Sequence, residues 1–113
     1  MGLTYSKYGV VIPGSAPGAM LGLVEKPPYE AAPSNLASIG RYVLGSEIFN
    51  VLRGLPPGAG GEIQLADAIN IVAKRGGAEA TNLEGQRFDC GSINGYLEAI
   101  TQMVAQRSKM GLG

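Results

Sequence analysis

The stretch Met20-Leu21-Gly22-Leu23-Val24-Glu25-Lys26-Pro27-Pro28 decides how this chain is read. Met20, Gly22 and Val24 alternate with Leu21, Leu23 and Glu25, a period that predicts a β-strand over Met20 to Glu25. Pro27-Pro28 ends the strand, because proline has no N–H to give a ladder. The first proline also biases Lys26 toward an extended backbone. A carboxylate and an ammonium are thus expected at a strand end, the place in an open α/β sheet where side chains project over a crevice.

Outward from that strand, Tyr8 to Ile12 predicts a shorter one closed by Pro13-Gly14, with Gly14 to Gly18 a surface connection that little holds rigid. Downstream, Pro28 to Asn35 reads as loop. Leu36 to Leu44 reads as a third strand in which Gly40 suggests a close backbone approach and Tyr42, Val43 and Leu44 supply strand propensity. Ser46 can cap a short helix over Glu47 to Leu52 that Gly54 ends. Leu65, Ala68, Ile69, Val72 and Ala73 recur at helical spacing, with Glu62 in the first turn, Lys74-Arg75 in the last and Gly76-Gly77 as the stop. Glu79 to Leu83 and Gln86 to Phe88 are short strand candidates. Asp89-Cys90-Gly91 then turns into a final helix capped by Ser92 or Asn94. Its apolar face, Tyr96, Leu97, Ile100, Met103 and Val104, is assigned to core packing. Strands alternating with helices predict an α/β fold, and the 113 residues suffice for a single domain, residues 1–113, with one modest core.

Composition narrows the chemistry. Nine basic and nine acidic residues cancel, which removes the electrostatic case for nucleic acid or an anionic membrane as partner. With no His there is no imidazole base and no ordinary zinc site, and one Cys makes no disulfide framework, so a cytoplasmic setting is the simplest expectation. No apolar run reaches membrane-spanning length. The start has no secretory pattern; Gly2 and Ser6 fit an N-myristoylation pattern that chance also supplies.

The candidate functional residues are therefore charged side chains on strand ends and turns. Glu25 can accept hydrogen bonds from sugar hydroxyls while Lys26 neutralises a phosphate; the alternative is a solvated pair on an edge strand. Asp89, between a strand candidate and a capped helix, offers the lone carboxylate that magnesium accepts when phosphates and water complete its shell. The alternative is an Asp capping its own turn. Cys90 lacks a basic partner and reads as a small buried residue. Arg41 and Arg87 could reach an anion or pair with a neighbouring Glu, and Asp67 is expected to face water. Leu55-Pro56-Pro57-Gly58-Ala59-Gly60-Gly61 looks like a phosphate cradle, but Glu62-Ile63-Gln64 stands where a P-loop has its Lys and Ser/Thr. That loop is expected to be a structural turn.

These patches occur in a longer order. Tyr8-Gly9-Val10-Val11, Leu23-Val24-Glu25-Lys26-Pro27, Ala32-Pro33-Ser34-Asn35-Leu36-Ala37, Gly40-Arg41-Tyr42-Val43-Leu44, the run Pro57 to Ile69, and Phe88-Asp89-Cys90-Gly91 with Gly95-Tyr96 resemble the bacterial UTP–glucose-1-phosphate uridylyltransferases. The glycine loop followed by Glu62-Ile63-Gln64-Leu65 is the specific part; Glu-Lys-Pro alone fits the wider sugar nucleotidyltransferases. The resemblance implies a partial mixed-sheet, Rossmann-like nucleotidyltransferase fold that lacks its N-terminal nucleotide-binding half, these residues being the C-terminal portion of the catalytic domain. It implies that Glu25 and Lys26 bind substrate, Glu25 through the glucose hydroxyls and Lys26 through the phosphate. It also implies that Lys26 and Asp89 are catalytic and that Asp89 holds Mg2+. In such a reaction a phosphate oxygen of glucose 1-phosphate attacks the α-phosphorus of UTP and pyrophosphate leaves, with no protein nucleophile.

The family's glycine-rich nucleotide loop, its uracil-recognition residues and its other magnesium-binding Asp precede Met1, the link from Val11 to Met20 is short, and Ala66 stands where the family has Thr. A truncated, uridylyltransferase-like protein inactive by itself is therefore expected, with glucose 1-phosphate or UDP-glucose as its ligands. Because half a sheet exposes strand edges and apolar faces, homo-oligomerisation or a complementing N-terminal half is expected too. The alternatives are a non-catalytic sugar-nucleotide-binding protein, an oligomerising structural protein, or one subunit of a split enzyme.

Overall fold

The computed structural model describes residues 7–113, so the reading of the start, with Gly2 and Ser6, lies outside the described residues. Two compact units divide the chain, the first ending at Thr81 and the second running Asn82–Gly113. The first holds an antiparallel sheet in the order β2-β1-β3, made of β1 (Gly9–Pro13), β2 (Met20–Glu25) and β3 (Ala37–Ser38), with α1 (Glu47–Gly54) and α2 (Leu65–Lys74). The second is built around α3 (Ile93–Lys109).

β2 has the bounds that alternation and Pro27 predict. It pairs with β1 from Gly9↔Glu25 to Ile12↔Gly22, with a register shift at Pro13 where the strand turns. The connection between them is better held than expected. Gly14 N–H donates to the Ala19 carbonyl at 2.8 Å, Ala19 N–H to the Ala16 carbonyl at 3.0 Å, and Gly18 takes the left-handed φ of 78° that its lack of a Cβ permits. Val11, Met20, Leu23, Ile69 and Ala73 form the core, so β1 and β2 are closed on one face by α2.

The predicted strand over Leu36 to Leu44 survives only as Ala37–Ser38. Gly40 (φ 83°) and Arg41 (φ 68°) are consecutive left-handed residues, which no strand can contain, and Tyr42, Val43 and Leu44 stay exposed. Strand propensity acts through a neighbouring strand, and the described residues offer none at that edge. For the same reason Glu79 to Leu83 and Gln86 to Phe88 form no strand, the former contributing one isolated bridge, Ala19↔Glu79. α2 begins at Leu65, so Glu62 lies before the helix and Asp67 is the acid of its first turn.

α3 starts where predicted, with Ser92 Oγ accepting from Gly95 N–H at 3.1 Å as the N-cap. Its apolar stripe does not pack as predicted. Tyr96, Leu97 and Met103 are each 55% exposed, Ile100 and Val104 are exposed as well, and no residue of the helix is buried. Among the described residues no helix is long and apolar enough to cross a membrane.

Candidate functional site

Glu25 is the last residue of β2 and lies opposite Gly9 on β1. A side chain at Gly9 would put its Cβ 3.1 Å from Glu25 Oε2, so the carboxylate lies over a strip of bare backbone and both residues are fixed by the same register. Glu25 itself is exposed, which leaves its oxygens open to hydroxyl donors.

Lys26 departs from the sequence expectation. It is not extended but left-handed, with φ 46°, although it precedes Pro27 and carries a Cβ. Both features disfavour that conformation, at a cost of about 1–2 kcal/mol. The bend is held from both sides: Lys26 N–H donates to the Tyr8 carbonyl at 3.0 Å, and Pro27 is buried. Left-handed backbone ends the alternation of faces, so Lys26 is released from the rule that would send it opposite to Glu25. Strain of this kind collects where a backbone is shaped for a task.

The strand that carries this pair is clamped at one level. Both backbone groups of Leu23 turn away from β1 and meet Asn70 of α2: Leu23 N–H donates to Asn70 Oδ1, and Asn70 Nδ2 donates back to the Leu23 carbonyl at 3.1 Å. Gly22 makes room, since a Cβ there would stand 2.8 Å from Asn70 Oδ1. On the far side of the same residue pair, Val11 N–H donates to the Leu36 carbonyl at 2.8 Å and Ser34 Oγ donates to the Val11 carbonyl at 2.6 Å. Asn70 alone thus completes the hydrogen bonding of the Val11–Leu23 level on one edge, and the Leu36 carbonyl with the Ser34 hydroxyl completes it on the other. Sequence reasoning gave Asn70 and Ser34 no role. A polar, poor helix former set between Ile69 and Ile71 was the signal available for Asn70.

Asp89 belongs to the second unit. Its Oδ1 accepts from Gly91 N–H at 3.0 Å, and its carbonyl accepts from Ser92 Oγ at 3.3 Å and Ser92 N–H at 3.4 Å, a turn that feeds the capped start of α3. A Cβ on Gly95 would overlap the Asp89 carbonyl, so glycine is required for the turn to close against the helix. Cys90, expected to be buried, is exposed, because the turn presents its residues outward. Asp67 faces solvent as expected, with Oδ2 set 2.9 Å from where a Cβ on Gly58 would stand. The glycine loop is folded on itself, Gly58 N–H donating to the Glu62 carbonyl at 2.8 Å, which is the structural turn predicted for it.

No group of three or more His, Cys, Asp or Glu converges among the described residues. An all-protein metal cage is therefore not what these residues make. Asp89 is exposed with one oxygen engaged, and such a carboxylate retains capacity for a hard cation whose other ligands are phosphates and water. Asp89 is thus a single carboxylate, outside any group of three or more such ligands among the described residues.

A cleft of about 660 Å³ in the first unit runs beside Arg41 to Gly45, the start of α1 and the turn after α2. Glu25 and Lys26 are not in its lining. Its charged residues, Arg41, Glu47 and Glu79, are exposed, and it borders the strand-forming residues Tyr42 to Leu44 that have no strand partner. Both places hold a left-handed non-glycine residue, Lys26 at the strand end and Arg41 in the cleft lining. The Glu25–Lys26 end is the better candidate because strand register and a buried Pro27 fix a carboxylate and an ammonium side by side there, whereas the cleft borders an unpaired segment.

Residues 4–106 match the sequence model of the family described as nucleotidyl transferase. The chain belongs to that family. A partial mixed-sheet α/β fold is what membership implies, and the antiparallel sheet here is its visible part. The chain is 44% identical over 99 residues to the UTP–glucose-1-phosphate uridylyltransferase of Escherichia coli strain K12, covering 85% of this chain and 33% of that protein. It is also 44% identical over 108 residues to the Bacillus subtilis strain 168 uridylyltransferase YngB, covering 93% and 36%. Among solved structures, UDP-glucose pyrophosphorylase complexed with UDP-glucose superposes with a TM-score of 0.77 at 43% identity, over 91% of this chain and 40% of that one. The UTP-bound enzyme from Acinetobacter baumannii gives 0.73 at 44%, over 88% and 35%. The nucleotidyl transferase chain described here thus spans about a third of the length of the curated relatives it matches.

Proposed function

We propose that these residues form the sugar-phosphate side of a uridylyl-transfer site and correspond to the C-terminal part of a UTP–glucose-1-phosphate uridylyltransferase. The observation that carries the reading is the left-handed Lys26 at the end of β2, next to the Glu25 carboxylate laid over Gly9, within a family match that runs through both. Glu25 orients the glucose hydroxyls of glucose 1-phosphate by accepting their hydrogen bonds. Lys26 neutralises the phosphate, so that an oxygen of one dianion can approach the anionic α-phosphorus of UTP. In the second unit, Asp89 is the residue that would hold magnesium, an ion whose chemistry when bound is charge neutralisation. No covalent protein intermediate is needed, which suits a chain with no His and with its one Cys in a turn.

UTP and its uracil would be held by residues outside these 113, on the same or on another polypeptide. By themselves these residues are expected to bind a sugar phosphate weakly and not to turn it over, because the pre-organised nucleotide clamp supplies most of the rate. Purified protein free of host enzyme should give no UDP-glucose from UTP, glucose 1-phosphate and magnesium. Titration with UDP-glucose should still produce a saturable signal that Lys26→Ala removes. Turnover lost on Asp89→Asn would overturn the claim of inactivity, and no saturable binding at all would overturn the assigned site.

The exposed apolar stripe of α3 and the exposed Tyr42, Val43 and Leu44 favour a second reading, a structural protein that works by associating, with copies of itself or with a complementing half. Association without any binding of UDP-glucose would favour it.

A further inference from the structure

We infer that Asn70 is a positioning residue for Glu25 and Lys26: its carboxamide grips both backbone groups of Leu23 and fixes where β2 delivers the strained end of the strand. The inference rests on the role proposed for Glu25 and Lys26, but the grip can be tested separately from it.

β2 is an outer strand of the sheet, so one of its edges has no strand neighbour. An open edge can slide, and slippage by one residue would exchange the two faces and carry Glu25 away from Gly9. Asn70 prevents this in the way a neighbouring strand would, giving an acceptor to Leu23 N–H and a donor to the Leu23 carbonyl. A carboxamide supplies both, on separate atoms of one side chain. The neighbouring residues are shaped for it: Gly22 leaves the space for Oδ1, and Ile69 beside Asn70 packs in the same core as Leu23. Leu23 lies two residues before Glu25 and three before Lys26, so a lock on Leu23 is transmitted through few rotatable bonds. The left-handed backbone of Lys26 persists only where its surroundings over-determine it. The register-fixing bond from Lys26 N–H to the Tyr8 carbonyl and the burial of Pro27 constrain it directly, and the clamp on Leu23 adds a third constraint.

The test uses the whole chain, isotope-labelled, as wild type, as Asn70→Leu, which keeps the branching of the side chain and removes both bonds, and as Asn70→Asp, which keeps the acceptor and loses the donor. Amide exchange at Leu23 should quicken by about tenfold or more in Asn70→Leu and remain near wild type in Asn70→Asp. The Cα shift of Lys26 should move from its left-handed value toward the extended one in Asn70→Leu. Ile69→Val loosens the same helix–strand contact without touching the clamp and should leave that shift in place, which separates positioning from general loss of stability. If Asn70→Leu does not fold, Asn70→Asp decides, through slower exchange at Leu23 than in the unfolded chain together with a Lys26 shift displaced from wild type. An unchanged Lys26 shift in the folded Asn70 variants, or an equal displacement in Ile69→Val, would overturn the inference. A parallel titration with glucose 1-phosphate should be about tenfold weaker in Asn70→Leu than in wild type. Absence of binding in wild type would count against the proposed function, while exchange and shift would still decide the role of Asn70.

Discussion

In the first unit, α2 sets Ile69 and Ala73 into the core that β1 and β2 share, and Ala68 is buried beside them. In the second, α3 carries an apolar stripe of its own, Tyr96, Leu97, Ile100, Met103 and Val104, and buries none of it. The two helices read alike in the sequence because periodicity records that a helix has an apolar side. It does not record whether the surface that covers that side lies within the same stretch of chain. α2 finds its cover in strands close by in sequence; the cover for α3 is not provided by its own unit.

The largest effect should separate the two helices outright. Ile69→Ala, which removes a buried side chain from the shared core, should lower stability by about 2–5 kcal/mol, read from chemical denaturation of the first unit. Gly95→Ala should come next. The new methyl cannot coexist with the Asp89 carbonyl, so the turn and the cap must open at a cost of about 1–2 kcal/mol, seen as loss of helical circular dichroism. Ser92→Ala removes the cap bond alone and should cost about 1 kcal/mol by the same measurement. Lys26→Asn keeps a polar side chain that tolerates left-handed backbone and should raise stability slightly, by up to about 1 kcal/mol, seen as a small rise in melting temperature, while weakening any sugar-phosphate binding. Smallest of all, Ile100→Ala should change stability by no more than about 0.5 kcal/mol. A loss at Ile100 as large as that at Ile69 would break the comparison, since it would mean that the stripe is covered in solution.

Where local chemistry sets an element, the sequence was sufficient. Pro27 and alternation gave β2 its bounds, helical spacing gave α2, and Ser92 marked the first turn of α3. Where an element needs a distant neighbour, it was not. Tyr42 to Leu44 have the composition of a strand and lack one to pair with, and Gly40 and Arg41 turn the backbone left-handed just before them. The candidate site divides in the same way. Glu25, Lys26 and Asp89 were legible as types and through motif order, but not the left-handed bend at Lys26. That bend depends on the register with Tyr8 and on a clamp from a residue 47 positions away in the chain from Leu23. Long-range hydrogen bonds from a single amide leave no period and no motif behind.

Cys90 is the chain's one thiol, and it stands exposed one residue beyond Asp89. A maleimide dye would therefore attach to each molecule at one known point without any substitution, beside the carboxylate whose occupation matters most to the proposed reaction. Its fluorescence on addition of magnesium with glucose 1-phosphate would make the turn before α3 its own indicator.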